Sequence, residues 1–379
     1  MIHLSSIRLL EIELPLKESF RTAQSTTSTR RVILLELTDA DGMSAWSECV
    51  AESERGYSDE TVDSCWTLLP EIARIIVDRQ MSSLQIANAI LWEEYPENRM
   101  SRAPIEMGIW NIAAQRDNKS LAAFVNSGIG EPGGRVPAGI AIGMHDTPDA
   151  LAARCVDAAA AGYQRIKVKI SPGHDVEFVR AARAAVGPEV MLGVDGNRSY
   201  RMDRDDDVSA LIALDEFDLC MIEQPLSSHD ESAALQHRIK TPICLDESIS
   251  DSNDVRDMIE MDSGRMVNLK PGRVGGFTES IAIHNTCVAK SIPLWCGGMN
   301  ETGIGRAYNV ALASLPGFTL PGDLSPSSRY WQEDIVIPEW TMDSAGFIDV
   351  PADKPGLGVE INTALIDRLT TREAKITAT

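Results

Sequence analysis

The hydrophobic pattern changes along the chain, and its first part has the character of strands followed by helices. Three segments are extended and rich in strand-forming residues: residues 3–16, 31–38 and 44–50. Three later segments repeat apolar residues at helical intervals: residues 58–76, 83–93 and 103–117. This order of elements favours an α+β domain, which we place at residues 1–130.

Beyond a linker rich in glycine and proline at residues 128–134, short apolar segments alternate with helical ones. Eight segments are predicted as strands: residues 138–143, 165–170, 190–195, 218–223, 242–246, 265–270, 292–296 and 317–320. Helical segments separate them, among them residues 149–161, 176–185, 231–238 and 279–289. Alternation of this kind predicts an α/β fold with a (β/α)8-type, TIM-like barrel over residues 131–330. Active sites in such barrels lie at the carboxyl ends of the strands.

The remaining segment, residues 331–379, contains two apolar stretches that predict further strands. They lie at residues 335–338 and 346–350, and we expect them to return to the first domain. The total of 379 residues fits a barrel of about 200–250 residues together with a smaller domain.

The charge of the chain restricts its partners. A formal net charge of −21 argues against nucleic acid and against an anionic membrane surface, because both require a basic patch. A small anionic substrate remains compatible with it, since a bound metal can reverse the sign of one pocket. The seven scattered cysteines include no CxxC pair, which is typical of reduced thiols. No signal peptide or membrane span is predicted, so we expect a soluble, cytoplasmic protein.

Charged residues follow five consecutive predicted strands at the ends where an active site would lie. Their order is lysine, acid, acid, acid, lysine: Lys167 with Lys169, Asp195, Glu223, Asp246 with Glu247, and Lys270. The first two share one face of their strand, because side chains alternate with a period of two. One such residue alone would be a solvated strand end. Five successive strands with this pattern favour a functional site.

The three central acids predict a metal site. Carboxylates that converge from neighbouring strands repel one another unless a cation lies between them. Asp195, Glu223 and Asp246 offer hard oxygen ligands, which favour Mg²⁺ or Mn²⁺ over Zn²⁺. Incomplete coordination by the protein would leave positions for water and for the carboxylate of a small-molecule substrate.

The barrel geometry then suggests a reaction. The second and sixth strands of an eight-stranded barrel face each other, so Lys169 and Lys270 would flank the α-carbon of a metal-bound carboxylate. The metal would stabilise the enediolate that forms when the α-proton leaves. We expect neighbouring cations to lower both lysine pKa values, with Lys167 acting on Lys169 and Arg273 acting on Lys270. A solvated loop position is an equally open interpretation of Arg273.

Other signals are weaker. Gly297, Gly298 and Met299 bring glycine backbone to the mouth of the barrel, where they predict either close packing or a binding wall. The acidic run at residues 203–207 lacks the glycine and glutamate of a calcium loop and is better explained as the first turn of a helix. No HExxH or GxSxG motif supports zinc or serine hydrolysis.

Together these residues resemble the enolase superfamily and, within it, the muconate-lactonizing group. The most specific resemblance is to the branch of o-succinylbenzoate synthases and N-acylamino acid (N-succinylamino acid) racemases. It spans most of the chain and is carried by these segments: residues 57–61, 167–169, 222–225, 244–248, 270–276, 295–306, 320–323 and 354–358. Residues 295–306 point to the branch, whereas the lysines and acids alone would give only the superfamily.

The resemblance implies roles for the same residues. Asp195, Glu223 and Asp246 match the ligands of Mg²⁺ (or Mn²⁺), and Lys169 and Lys270 match the acid/base pair. The first domain, completed by the C-terminal tail, would form a cap over the barrel mouth. Phe20 and Tyr57 in its loops would close on the substrate side chain, and Asn197, Glu247 and Arg273 would contact the substrate or support the ligands. We also expect a homo-oligomer.

The resemblance leaves the exact reaction open. A racemase reprotonates the opposite face, a synthase expels water, and a cycloisomerase or epimerase of the same group differs again. Lys270 argues against a mandelate-type racemase, and Asp323 is only half of the Asp-x-Asp expected of a dipeptide epimerase. A non-catalytic binding barrel would have lost a lysine or an acid, and none is lost. We expect N-acylamino acids with apolar side chains or the o-succinylbenzoate precursor as substrates. Asn300 stands where the family usually has leucine, and we expect it to affect the preference for the substrate side chain.

Overall fold

The computed structural model describes residues 2–77 and 79–378, and it begins with an antiparallel sheet covered by helices. The elements of this part are β1 (Ile2–Arg21), β2 (Thr26–Asp39), β3 (Ser44–Cys49), α1 (Val62–Ile76), β4 (Gln80–Met81), α2 (Leu84–Glu94), α3 (Arg99–Arg116) and α4 (Leu121–Val125). β1 pairs with β2, β2 with β3, and the short β4 with β1, all antiparallel. The predicted α+β domain is confirmed in its strand and helix order.

Helix α1 shows why this part folds as a layer of helices on a sheet. It begins at Thr61, whose hydroxyl accepts the N–H of Ser64, while the Ser64 hydroxyl accepts the N–H of Thr61. Its buried residues recur every three or four positions and form one apolar stripe: Val62, Cys65, Leu69, Ile72, Ala73 and Ile76. This stripe packs in one core cluster with inward-facing sheet residues such as Ile33 and Leu35.

The second part alternates strands and helices as predicted. Its elements are β5 (Arg135–Pro137), β6 (Gly139–Ile142), α5 (Pro148–Ala160), β7 (Arg165–Lys169), α6 (Val176–Val186), β8 (Met191–Asp195), α7 (Asp205–Ala213), β9 (Ile222–Glu223), α8 (His229–Gln236), β10 (Ile243–Leu245), α9 (Ser252–Glu260), β11 (Met266–Leu269), α10 (Pro271–Val274), α11 (Phe277–Ala289), β12 (Leu294–Cys296) and α12 (Gly303–Ala313). Short 3₁₀ helices lie at Leu214–Phe217 and Ser327–Arg329. None of the helices so described has the length and apolar character needed to cross a bilayer.

Seven parallel strands, β6 to β12, form a curled sheet in sequence order. The eighth predicted strand, at residues 317–320, is not a regular strand. Instead, single bridges join Phe318 to Leu294 and Gly322 to Ala138, so this segment lies between the last and first strands of the sheet. Pro321 has no N–H to donate, which prevents a continuous ladder at this position.

The end of the chain divides its contacts between both parts. Its elements are β13 (Val336–Ile337), β14 (Phe347–Asp349), β15 (Glu360–Ile361), α13 (Thr363–Leu369) and β16 (Thr370–Thr377). β16 pairs with β1 at the edge of the first sheet, which confirms a return to the first domain. However, the two apolar stretches expected to make that return do not: β13 pairs with β15, and β14 pairs with β5. The first pairing is within the tail and the second is with the strand that precedes the barrel sheet, while the edge of β1 is filled by the later segment β16.

Two carboxylates of the first domain accept hydrogen bonds at the N-termini of two barrel helices. Glu48 of β3 accepts hydrogen bonds from the Thr302 hydroxyl at 2.6 Å and the Gly305 N–H at 2.9 Å, at the start of α12. Glu106 of α3 accepts the Phe277 N–H at 2.8 Å and the Thr278 N–H at 3.0 Å, at the start of α11. A carboxylate at a helix N-terminus satisfies free N–H groups and meets the positive end of the helix dipole. The cap is therefore fixed to the barrel by polar contacts beneath its surface.

Candidate active site

The carboxyl edge of the barrel sheet carries the charged residues predicted from the sequence. Strands β7 to β11 each contribute, in this order: Lys167 and Lys169, Asp195, Glu223, Asp246 and Lys270. Parallel pairing sets Lys169 beside Asp195 and Asp195 beside Glu223. The three acids are at most 1% exposed, so each requires a compensating charge or hydrogen bond.

Lys169 is held by two oxygen acceptors. Its Nζ lies 2.7 Å from Asp195 Oδ2 and 2.7 Å from Asn197 Oδ1. Asn197 has a left-handed backbone with φ of 42°, a conformation that asparagine tolerates well. Its N–H donates to Asp195 Oδ1 at 2.9 Å, and its side-chain amide donates to Glu247 Oε1 at 3.2 Å. Asn197 and Glu247 thus lie next to the acids, where the sequence placed them.

Lys270 is paired with the acid of the preceding strand. Its Nζ lies 2.8 Å from Asp246 Oδ2 and 4.4 Å from the centre of the Tyr57 ring. The other oxygen of Asp246 accepts the Tyr57 hydroxyl at 2.8 Å and the guanidinium of Arg273. Arg273 is only 7% exposed and also donates to the backbone carbonyl of Asn268 at 2.7 Å, so the solvated-loop interpretation of Arg273 is wrong.

Lys167 contacts three acids. Its Nζ lies 2.6 Å from Glu223 Oε2, 2.8 Å from Asp323 Oδ2 and 3.4 Å from Asp195 Oδ2. Asp323 also binds Arg165, and both cations lie over the Trp295 ring. Lys167 therefore joins the acids of β8 and β9 to the segment that closes the barrel.

Sequence reasoning missed Arg165 and the role of Asp323. The signal for Arg165 was present, since Arg165, Lys167 and Lys169 follow the same period of two and share one face of β7. Three cations on one buried face require an additional anion. Nothing local identifies Asp323 as that anion, because it lies in the irregular closing segment about 150 residues later.

The lysine pKa values in this arrangement differ from the expectation. Burial lowers the pKa of Lys270 and is the largest single effect, but Asp246, Tyr57 and Glu223 together outweigh burial and raise the pKa well above its usual value. Repulsion from Arg273 acts in the expected direction and is a smaller effect. For Lys167, burial is likewise outweighed by Asp323 and Glu223, and its pKa is raised. The anions around Lys270 thus raise its pKa in this arrangement, and the lowering expected beside a divalent cation stays a prediction.

The acids suit a hard divalent cation in chemistry and in electrostatics. Burial, together with repulsion from Asp195 and Asp246, raises the pKa of Glu223 to about 8. The attraction of Lys167 lowers the pKa but does not offset these effects. In residues 2–77 and 79–378, no three Asp, Glu, His or Cys side chains already form a metal-binding group. Each acid is instead turned towards a lysine, as the distances above show. The donor set fits Mg²⁺ or Mn²⁺, and the lysines and the metal would share the same oxygens.

One cavity brings the lysines together with the cap. Lys167, Lys169 and Lys270 line it with loop residues of the first domain and with the segment after β12. The other lining residues are Phe20, Thr22, Gln24, Ser25, Glu52, Tyr57, Ala141, Asn197, Gly298, Met299, Asn300, Asp323 and Tyr330. Of the predicted substrate contacts, Phe20, Tyr57, Asn197, Gly298 and Met299 therefore meet at one cavity.

Three predicted contacts lie elsewhere. Glu247 and Arg273 line a separate polar cavity on the other side of Tyr57. Gly297 is a packing position: a Cβ there would lie 2.6 Å from Lys270 Cε and would overlap Asn268 Oδ1. Of the two predicted roles for these glycines, Gly297 has the packing role, because it leaves room for Lys270. Gly298 has the other role, because it lines the cavity.

Family models match both parts of the chain. The mandelate racemase / muconate lactonizing enzyme N-terminal domain matches residues 5–125, and the enolase C-terminal domain-like family matches residues 150–365. The chain belongs to the enolase superfamily. The predicted cap-and-barrel architecture and enzyme class are confirmed by this assignment.

Individual superfamily members show how similar the chain is to known enzymes. It is 41% identical to the o-succinylbenzoate synthase of Bacillus subtilis over 376 residues, which cover 98% of both chains. It is 40% identical to the N-succinylamino acid racemase of Amycolatopsis sp over 377 residues, 98% of this chain and 99% of the relative. The predicted resemblance to this branch of the enolase superfamily is confirmed.

Solved structures of enolase superfamily members share the fold. A member from Listeria innocua has a TM-score of 0.91 at 32% identity, with 100% of both chains covered. A dipeptide epimerase from Cytophaga hutchinsonii, complexed with Mg and the dipeptide D-Ala-L-Val, has a TM-score of 0.90 at 21% identity and covers 100% of both chains. The second likeness supports the fold alone.

Proposed function

We propose that this protein removes the proton from the carbon next to a substrate carboxylate. It then either returns a proton to the opposite face of that carbon, as a racemase does, or delivers a proton to a β-hydroxyl that leaves as water, as a synthase does. Its substrates are N-succinyl or other N-acylamino acids, the o-succinylbenzoate precursor, or both. The names of relatives at 40% and 41% identity support this choice and do not separate racemase from synthase. Another cycloisomerase or epimerase reaction of the muconate-lactonizing group is the alternative.

The observation that carries the proposal is the placement of Lys169 and Lys270. They follow strands β7 and β11, which are separated by the three strands that carry the acids, and both lysines line one cavity. A substrate carboxylate held near the acids would have its α-carbon between two amines. Removing the α-proton requires a base on one face of the α-carbon, and delivering a proton to the other face requires an acid there.

We assign the metal to Asp195, Glu223 and Asp246, with Mg²⁺ or Mn²⁺ as the ion. When bound, the ion would supply positive charge to the substrate carboxylate and to the enediolate. The chain's own residues do the rest. Lys169 and Lys270 carry protons, Lys167 holds the acids of β8 and β9 in place, and Tyr57 and Arg273 hold Asp246.

The cap contributes substrate contacts and excludes water in this proposal. Phe20 lies at the end of the β1–β2 hairpin, with its ring 6.0 Å from Lys169 Nζ. Tyr57 covers Lys270 from the loop between β3 and α1. Excluding water strengthens the electrostatic interactions that stabilise the enediolate.

The test is α-proton exchange in deuterated water. N-succinylamino acids and the o-succinylbenzoate precursor are incubated with the enzyme and Mg²⁺, and mass spectrometry and chiral chromatography follow exchange, inversion and dehydration. Exchange with at least one substrate class is expected. Absence of exchange and of dehydration with both classes would contradict the proposal.

We also propose that the protein is cytoplasmic and forms a homo-oligomer. All seven cysteines are free thiols, which supports a reducing compartment. Light scattering coupled to gel filtration measures the oligomeric state directly, and a mass of one chain would contradict that part of the proposal.

A further inference from the structure

Glu52 brings an uncompensated carboxylate to the cavity that holds the lysines. It lies in the loop after β3 and is partly buried. Across the described ranges, its side chain takes part in no hydrogen bond and no ion pair, although the other acids of the site are all paired. Its backbone is fixed, because its carbonyl accepts the N–H of Val62 at 2.8 Å at the start of α1.

Two arginines near this loop are already engaged. Arg30 donates to the backbone carbonyls of Val50 and Ala51, both at 2.7 Å. Arg198 donates to the backbone carbonyl of Gly56. Neither guanidinium is paired with Glu52, and the lysines that line the cavity are paired with other acids, so Glu52 has no ion-pair partner among the described residues.

Asn300 presents a second polar group to the same cavity. Its backbone is left-handed, with φ of 55°. The N–H of the preceding residue, Met299, donates a hydrogen bond to Glu301 Oε1 at 2.7 Å. The side-chain amide of Asn300 has no hydrogen-bond partner among the described residues. Phe20 and Met299 line the cavity as well, so the polar groups are combined with apolar walls.

The chemistry of the proposed substrate decides which part of the substrate contacts Glu52 and Asn300. Its α-carboxylate belongs with the acids and lysines, and an N-succinyl group carries a carboxylate that Glu52 would repel. The remaining part is the amino-acid side chain. We infer that Glu52 and Asn300 bind the substrate side chain and select N-acylamino acids with a basic side chain, an amine or guanidine on an apolar stem. This inference rests on the proposed function and replaces the expectation of an apolar side chain.

The experiment compares two substrates of similar length that differ in the terminal charge. kcat/KM for racemisation is measured with N-succinyl-lysine and with N-succinyl-norleucine in the presence of Mg²⁺. The wild-type enzyme should prefer the lysine derivative by roughly tenfold or more, as one charge-assisted hydrogen bond would give. Glu52→Gln should reduce that preference by about tenfold, mainly through KM, and Asn300→Leu should shift it in the same direction.

Glu54→Gln is the matched control, because Glu54 is an exposed acid two residues away that does not line the cavity. It should leave the preference unchanged. Equal or better turnover of the norleucine derivative by the wild type overturns the inference and leaves the proposed function standing. An equal loss for both substrates in Glu52→Gln also overturns it. Absence of α-proton exchange with either substrate overturns the racemase function itself, and the inference with it.

Discussion

Gly297 and Lys270 are in such close contact that position 297 admits no side chain. A Cβ at this position would lie 2.6 Å from Cε and 2.8 Å from Cγ of Lys270. These distances are shorter than real Cβ contacts, so Lys270 would have to move. The path of the lysine from β11 to the cavity is therefore set by a glycine on the neighbouring strand end.

We expect Gly297→Ala to lower kcat by about 10², because a displacement near 1 Å of a reacting group has an effect of that size. Circular dichroism should remain that of the folded protein, whereas the melting temperature should fall, because the overlap with Lys270 and Asn268 destabilises the folded state. The matched control is Gly134→Ala, since a Cβ there meets nothing within 4 Å. Wild-type kcat in Gly297→Ala would show that the lysine is not constrained by this contact.

Chelation should abolish activity, and Mg²⁺ or Mn²⁺ should restore it, because Asp195, Glu223 and Asp246 are the proposed ligands. Asp246→Asn should weaken metal binding by more than about tenfold in calorimetry. Asp203→Asn is the control, because Asp203 is an exposed acid paired with Arg201 and lies outside the site, and this variant should bind metal normally. Full activity in excess chelator would refute the metal assignment.

Each of the two lysines should act on one enantiomer only. Lys270→Ala should lose racemisation and still exchange the α-proton of one enantiomer with retention through Lys169, and Lys169→Ala should do the reverse. Loss of a general base lowers the rate by about 10²–10⁴, which is easily measured by deuterium incorporation. If the reaction is dehydration, one lysine should stay indispensable as the base, and the other should matter for the charge of the enediolate. Full racemisation in both variants would leave the two lysines without a role as proton carriers.

The stability of the protein should depend on pH through Glu48. Burial raises the pKa of this carboxyl from 4.5 to about 7, although its hydrogen bond from Thr302 opposes the shift. Because the folded pKa is raised, the stabilising contribution is fully present below pH 4.5 and is lost as the pH rises through 7. The contribution is about 3 kcal/mol at most.

The measurement is the free energy of unfolding of the wild type and of Glu48→Gln from pH 4.5 to pH 7.5. The wild type should lose stability relative to Glu48→Gln across this range. Glu54→Gln, at an exposed position, should follow the wild type. A difference between wild type and Glu48→Gln that does not change with pH would mean that the buried carboxyl titrates normally.

The sequence predicted the parts of this site that follow from regular structure. A period of two placed Lys167 and Lys169 on one face, and the shared direction of parallel strands brought the acids to one edge. It could not predict Asp323, because that residue lies in a segment where Pro321 interrupts the strand pattern. It also could not give the pKa of Lys270, which depends on how burial is balanced against Asp246 and the other charged groups around the lysine.

The fold predictions divide in the same way. Alternating strands and helices were sufficient for the barrel, since each element buries its own apolar face. The return of the C-terminal tail was predicted, but through the wrong strands. An apolar stretch such as residues 346–350 indicates that a strand forms, but it does not indicate which other strand pairs with it. Pairing between distant segments is decided by which sheet edges remain open, and a local pattern does not contain that information.

Glu48 and Glu106 restrict how the cap or the barrel of this protein can be exchanged for that of a relative. Each acid belongs to the cap but accepts hydrogen bonds from a helix of the barrel, so the barrel without the cap would have unpaired N–H groups at these helix N-termini. A chimaera that joins the cap of one relative to the barrel of another would leave N–H groups without an acceptor unless both acids are kept. The loop that holds Glu52 is not bound by this requirement. Substitutions in that loop can therefore be made without removing the acceptors of these two helix N-termini.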